Sequence, residues 1–217
     1  MIALDRIDMM TERKSSLHHP IPFYRQHYDF TCGPACLMMA MKYLDDTLVL
    51  SKELEIDIWR EANLVAVPGT SRYGLAFSAA TRGFCARVAS NTGGIDFVEK
   101  IDPSLEDEAR DVLRAQFSER RIRCRNLGVR ERRASITARV LRAVLRQGHV
   151  PLFVTSTRFY SADDLPHWVV VTGIDNGRLS FFNPADPGMR TRAVGHDSLH
   201  SFIGYRGDQS MVEVWKE

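Results

Sequence analysis

The stretch from Tyr24 to Leu44, YRQHYDFTCGPACLMMAMKYL, places a cysteine where a polar loop gives way to an apolar helix, with a glutamine six positions before it. A thiol attacks a carbonyl carbon as its thiolate. The first turn of a helix carries unpaired N–H groups and the positive end of the macrodipole, and both favour that anion. Gly33 follows Cys32, and without a side chain it lets a substrate or another backbone approach closely. Cys36 lies one turn further into the same helix and reads as a packed core residue. Taken alone, Cys32 reads equally well as a small buried residue at a helix start.

A base for the thiol comes from the stretch LPHWVVVTGIDNGRLSFFNPADP. His167 opens an apolar strand, where a side chain meets the end of a sheet, and histidine is the natural partner of a nucleophilic thiol. The plain structural alternative is a half-buried polar residue at a strand start. A third residue should orient the imidazole, as in Cys-His-Asn arrangements, and the hairpin after Asp175 decides which. A three-residue loop, Asp175-Asn176-Gly177 with Gly177 in a bulge, sets Ile174 against Arg178 and Val169 against Asn183. Asn183 then shares the face of His167, one diagonal step or about 7–8 Å away. A two-residue Asn176-Gly177 loop shifts the register by one, turns Asn183 to the other face and sets Asp186 opposite His167. The three-residue loop is the favoured reading, with Asp186 kept as the alternative. Gln26 completes the set. A tetrahedral intermediate needs preorganised donors for its oxyanion; the Cys32 N–H is one, and the Gln26 amide is a candidate second.

Such a site needs a helix start set against a strand start, and the chain has both kinds of element. SKELEIDIWREAN (51–63) and SRYGLAFSAATRG (71–83) read as helices, the second closed by Gly83. DPSLEDEARDVLRAQFSERR is amphipathic, capped by Asp102 with Pro103 just inside, and SITARVLRAVLRQG is capped by Ser135 and stopped by Gly148. For the first helix, Thr31 is the cap and Pro34 suits the first turn. VPLFVTST, HWVVVTGID, RLSFFNP and SMVEVWK are short, rich in β-branched and aromatic residues, and separated by turns. Helices first and antiparallel strands second indicate an α+β domain, with the cysteine-bearing helix, apolar almost all round, packed on the C-terminal antiparallel sheet.

Composition sets the outer limits. The 217 residues suffice for one domain of ordinary core size, with 44% hydrophobic and 26% charged residues. Residues 1–19 read as a flexible tail and 20–217 as a single domain. The net charge of +2 gives no nucleic-acid footprint. The arginine-rich run from Glu119 to Arg133 reads as a solvated helix or loop rather than a polyanion patch. The four cysteines, Cys32, Cys36, Cys85 and Cys124, have no metal-ligand spacing. No cofactor and no metal are expected. Neither a signal peptide nor a membrane span is legible, so a cytoplasmic protein with free thiols is expected. The expected partner is a peptide or protein substrate, without nucleic acid or membrane.

Together, QHYDFTCGPACLMMAM and HWVVVTGIDNGRLSFFNP resemble the two signature segments of the bacteriocin-processing cysteine peptidases (peptidase family C, number thirty-nine), within the papain-like superfamily. The segment IWREANLVAVPGTSRYGLAFSAATRGFCARV resembles a stand-alone branch of that family. The resemblance covers roughly residues 20–188 and implies a papain-like fold. It also implies that Cys32 is the nucleophile, that His167 is the general base and acid, and that Gln26 shares the oxyanion hole with the Cys32 N–H. The family usually carries an aspartate before a proline as third member; here the position reads Asn183-Pro184. The processing peptidases are fused to transporters and cut after a double-glycine leader, and a leader substrate does not follow for this chain.

Three functions fit these residues. The first is a cysteine peptidase working through an acyl-thioester on Cys32. The second is an acyltransferase or amidase with the same first step, in which an amine or thiol replaces water. The third is a non-catalytic peptide-binding module that keeps the fold. The stretch VPGTSRYG (67–74) reads as a loop lining the substrate groove; Tyr73 and Trp168 could flank a substrate there, but they read more readily as core aromatics. Asp163 and Asp164, just before His167, would favour a basic substrate residue.

Overall fold

The computed structural model describes residues 17–65, 69–93 and 104–217. The first helix, α1 (Cys32–Leu44), is buried continuously from Cys32 to Met41, as a helix apolar on every side must be. Thr31 occupies its N-cap position, but its side chain makes no capping bond. Helix α2 (Lys52–Ala62) is capped by Ser51, whose side chain accepts from Leu54 N–H, and α3 (Arg72–Thr81) by Ser71, which accepts from Gly74 N–H. Helix α4 runs Asp107–Asn126; the expected cap at Asp102-Pro103 lies outside the described residues. Helix α5 (Ala138–Arg146) starts later than expected, and Thr137 rather than Ser135 caps it. The reason is tertiary: the Ile136 N–H donates to Gln209 Oε1 at 2.8 Å, which holds that segment extended against the C-terminal strand. A short helix α6 (His196–Phe202) follows.

The strands are β1 (Leu17–His18), β2 (Cys85–Ser90), β3 (Arg130–Arg133), β4 (Val150–Ser156), β5 (Pro166–Asp175), β6 (Arg178–Phe182), β7 (Thr191–Gly195) and β8 (Ser210–Trp215). They form one sheet in the order β3-β2-β8-β4-β5-β6-β7, with β1 paired to the end of β5. Every pair is antiparallel except β2–β3, which is parallel. The sheet therefore draws strands from the helical half as well as the C-terminal one. Within the stretch expected to be a tail, Leu17 and His18 pair with β5 and His19 N–H donates to Thr172 O at 2.7 Å; residues 1–16 lie outside the described residues. The arginine run also resolves into elements: it closes α4 and then forms β3, an exposed edge strand.

Strand alternation distributes two cores. Leu152, Trp168, Val170, Val212 and Val214 face α1, α2 and α3. Phe153, Val169, Val171 and Ile174 face the α5 and α6 side, with Leu141 and Leu199. That Val171 and Ile174 share a side marks a break in alternation between them. The break is a bulge between Val171 and Gly173.

The bulge corrects the expected hairpin. Asp175 pairs with Arg178, so the loop has two residues, Asn176 and Gly177, both in the left-handed region with φ of 45° and 76°, as a type I′ turn requires. That turn alone would send Asn183 to the wrong face. The extra residue at Thr172 restores the shift, so Val170 pairs with Phe182 and the next position brings Asn183 level with Val169. The favoured turn was the wrong one, and the register it predicted near His167 is the observed one.

Candidate active site

Cys32 stands at the first position of α1 because Gly33 and Pro34 suit a first turn and the apolar run begins there. His167 is the second residue of β5. The two meet because α1 packs against the sheet beside β5, and side chains crowd the helix start at Gly33. A Cβ at that position would lie 2.2 Å from Thr70 Oγ1 and 3.2 Å from Trp168 Cδ1, so only glycine lets the helix start approach so closely.

The charges of the Cys32 thiol and the His167 ring are coupled, each favouring the other. The thiol accepts from Trp168 N–H, the residue next to His167, at 3.5 Å. On the far side of the ring, His167 Nε2 lies 2.8 Å from Asn183 Oδ1. The same Oδ1 accepts from Ala185 N–H at 2.9 Å. A backbone N–H can only donate, so the shared Asn183 atom is its oxygen and His167 Nε2 carries a hydrogen. Nδ1 is thereby left as the basic nitrogen of the ring. The Tyr160 ring meets the imidazole edge-on, with centroids 5.6 Å apart.

Cys32, His167 and Asn183 are all buried, and burial sets the electrostatics. For Cys32, burial pushes the thiol up, but the His167 charge, the His167 hydrogen bond and the two backbone N–H groups outweigh it and hold the thiol below its ordinary value. For His167, burial pushes the imidazolium down, and the Cys32 charge with the hydrogen bonds to Cys32 and Asn183 outweighs that, leaving it raised. These are the directions of a thiolate–imidazolium pair. Cys36, buried with its Sγ donating to Trp168 O at 3.4 Å, is pushed well up by burial and then by the Cys32 charge. It is a core thiol, as expected.

Gln26 lies on the loop before α1. Its N–H donates to Pro184 O at 3.0 Å, which joins it to the segment carrying Asn183. Its amide Nε2 donates to Tyr28 O at 2.7 Å, and an amide nitrogen has a second hydrogen to give. Asp186 does not take the third position. It pairs with Arg192 at 2.6 Å and accepts from Gly188 N–H, and Arg192 first holds its carboxyl below the usual range. Tyr73 packs edge-on against Phe117 and is away from the thiol, whereas Trp168 lines the cavity beside it. That cavity measures about 50 Å³ and is walled by Cys32, Leu64, Thr70, Val154, Trp168 and Tyr205. Asp164 is occupied by Ser156 Oγ at 2.6 Å and by Arg206. Among the described residues no cluster of His, Cys, Asp and Glu could hold a metal ion, and no helix is long and apolar enough to cross a membrane.

One residue escaped the sequence reading. Glu55 is fully buried in α2 and accepts from the Tyr24, His27 and Thr31 side chains. The signal was present: Glu55, Ile58 and Ala62 form the buried stripe of α2, a helical spacing in which an acid stands where an apolar residue belongs.

A family model described as "Peptidase_C39 like family" matches residues 21–200. No curated protein matches the chain in sequence. Among solved structures, a chain described as a C39-like peptidase from Bacillus anthracis aligns with a TM-score of 0.50 at 12% identity, over 94% of this chain and 98% of that one. The peptidase domain of Streptococcus ComA, a bi-functional ABC transporter involved in a quorum sensing pathway, aligns at 0.48 and 16% identity, over 92% and 100%. The Bacillus anthracis likeness is one of fold, and the fold is that of a papain-like α+β peptidase domain.

Proposed function

This chain belongs to the Peptidase_C39-like family, and we propose that it is a cysteine peptidase that cleaves a peptide or amide bond through an acyl-thioester on Cys32. His167 Nδ1 takes the thiol proton, and the thiolate attacks the substrate carbonyl carbon. The oxyanion formed accepts hydrogen bonds from the Cys32 N–H and the second amide hydrogen of Gln26. The imidazolium gives its proton to the departing amine as the C–N bond breaks. Water, deprotonated by the same nitrogen, then attacks the thioester and restores the thiol. Asn183 holds the ring in the tautomer that makes Nδ1 the base.

One observation carries the reading: the N–H of Trp168, next to His167, donates to the buried Cys32 thiol, and the His167 ring is held by Asn183 Oδ1, whose identity the Ala185 N–H fixes. The small cavity against Cys32 favours a small residue beside the scissile bond. The four thiols are free, which fits work in a reducing compartment such as the cytoplasm.

The reading is tested by alkylation and trapping. A free thiol with pKa about 8.5 is roughly 0.3% ionised at pH 6. Cys32 should therefore react with iodoacetamide at pH 6 more than tenfold faster than a free cysteine peptide. Incubation with a cell extract should yield a covalent acyl adduct on the wild type that Cys32→Ala lacks. Alkylation at the free-thiol rate, or first at another cysteine, overturns the assignment. Product analysis with and without an added amine separates hydrolysis from acyl transfer.

A further inference from the structure

We propose that Glu55 is the positioning residue of the oxyanion hole, an inference that rests on the peptidase reading above. Its carboxylate is fully buried in α2, where an unsatisfied charge would be costly and an apolar side chain would pack more cheaply. All the partners found for it come from one loop. Tyr24 Oη donates to Oε2 at 2.9 Å, His27 Nδ1 lies 2.7 Å from the same oxygen, and His27 N–H donates to Oε1 at 2.9 Å. The Thr31 hydroxyl also reaches Oε1.

These anchors bracket the two oxyanion donors. Tyr24 and His27 flank Gln26, and Thr31 immediately precedes Cys32. The Thr31 side chain, which stands at the N-cap of α1, does not cap it; its hydroxyl lies within hydrogen-bond reach of Glu55 and of Tyr28 O, sharing its single hydrogen between them. Tyr28 O is also the acceptor that orients the Gln26 amide. One carboxylate thus fixes the loop at both ends, and the loop fixes Gln26 and the start of α1 together. A further tether, Gln26 N–H to Pro184 O, joins this assembly to the segment that bears Asn183. No hydrogen bond of this network reaches the Cys32 thiol or the His167 ring, so Glu55 acts on the donors of the hole more directly than on the reactivity of the thiol.

That separation makes the role testable. The Cys32 thiolate displaces iodide from iodoacetamide without forming an oxyanion; acylation by an N-protected glycine p-nitrophenyl ester must form one. Glu55→Gln puts an N–H where the loop's donors need an acceptor. It should lower kcat for the ester 10- to 100-fold, with KM changed less than threefold and the pH 6 alkylation rate within twofold of wild type. Tyr24→Phe removes a single hydroxyl at the partly exposed end of the network and should lower kcat threefold or more with the same unchanged alkylation. It decides the question by itself if Glu55→Gln does not fold. Parallel loss of alkylation and acylation would make Glu55 a purely structural residue, and unchanged acylation in folded variants would equally overturn the proposal. A wild type that is neither rapidly alkylated nor acylated would sink the peptidase reading first, and this inference with it.

Discussion

At the scale of single residues, the pH dependence follows from two opposed shifts. Cys32 is held below its ordinary value and His167 above, each against the burial that would move it the other way. Both shifts favour the ion pair, which exists wherever the thiol gives up its proton at a lower pH than the imidazolium does, in the window between the two. Below that window the thiolate is protonated and attack stops; above it the imidazolium is lost and the leaving amine goes unprotonated. The kcat/KM profile for a peptide substrate should be a bell, with its acid limb below the pKa of about 8.5 of a free thiol. Asn183 gives the ring orientation without adding a charge. Asn183→Asp keeps an oxygen for both His167 Nε2 and Ala185 N–H and adds a negative charge beside the imidazolium. A nearby opposite charge favours the charged form, so the alkaline limb should move up in pH while the acid limb stays nearly in place. Asn183→Ala leaves the ring unheld and should lower kcat about 10- to 100-fold, by analogy with the loss of outer-shell partners elsewhere. An Asn183→Asp profile that overlays the wild type would show that the residue does not face the working ring.

At the scale of elements, the site depends on how closely α1 meets β5, and Gly33 and Gly177 separate that requirement from stability. Gly33→Ala would drive a Cβ into Thr70 Oγ1 and against Trp168. Overpacking of this kind costs about 1–3 kcal/mol, and it presses on the Thr70 and Trp168 side chains that line the cavity beside the thiol. A lower urea midpoint together with a more than tenfold loss of kcat/KM is expected. Gly177→Ala strains the turn at φ 76° by about 1–2 kcal/mol and should lower the midpoint with kcat/KM unchanged. The same elements explain what could be read from the sequence. Cys32, His167, Asn183 and Gln26 stand out because polar, chemically competent residues sit where apolar runs begin or end, and local pattern reports that directly. The bulge at Thr172 leaves no such mark. It is set by pairing with β1 and β6, and the hairpin reading reached the correct face for Asn183 only because the turn and the bulge offset one another. Strand β3 is hidden for another reason: its four residues are all exposed, so it has no alternation to detect, and its arginines suit an edge that must not pair with other chains. Glu55 had a local signal, but its meaning lies in residues 24–31, which only the packing of the loop on α2 brings to it.

At the scale of the whole molecule, the thiol comes from the helical half and the imidazole from the C-terminal strands, so the pair survives only while the two halves share one structure. The sheet supplies that continuity. Strand β8 lies between β2, which belongs to the first half, and β4, which belongs to the second. Val212 and Val214 pack against the α1 side while Met211 packs against the α5 and α6 side, so the last strand is a member of both cores. Arg72 of α3, itself buried, reaches Ser210 Oγ at 2.8 Å and adds a polar tie between the halves. Such a molecule has no plane along which one half can unfold and leave the other intact. In urea, far-UV circular dichroism, tryptophan fluorescence and the loss of fast Cys32 alkylation should give a single midpoint, the signature of one cooperative unit. Removal of residues 210–217 takes out the strand that joins the two groups of neighbours, and should abolish the cooperative transition and the fast alkylation together. Two separated transitions, or a truncated chain that keeps a rapidly alkylated Cys32, would mean that the halves fold independently and that the site needs only one of them, which the position of the imidazole on β5 does not allow.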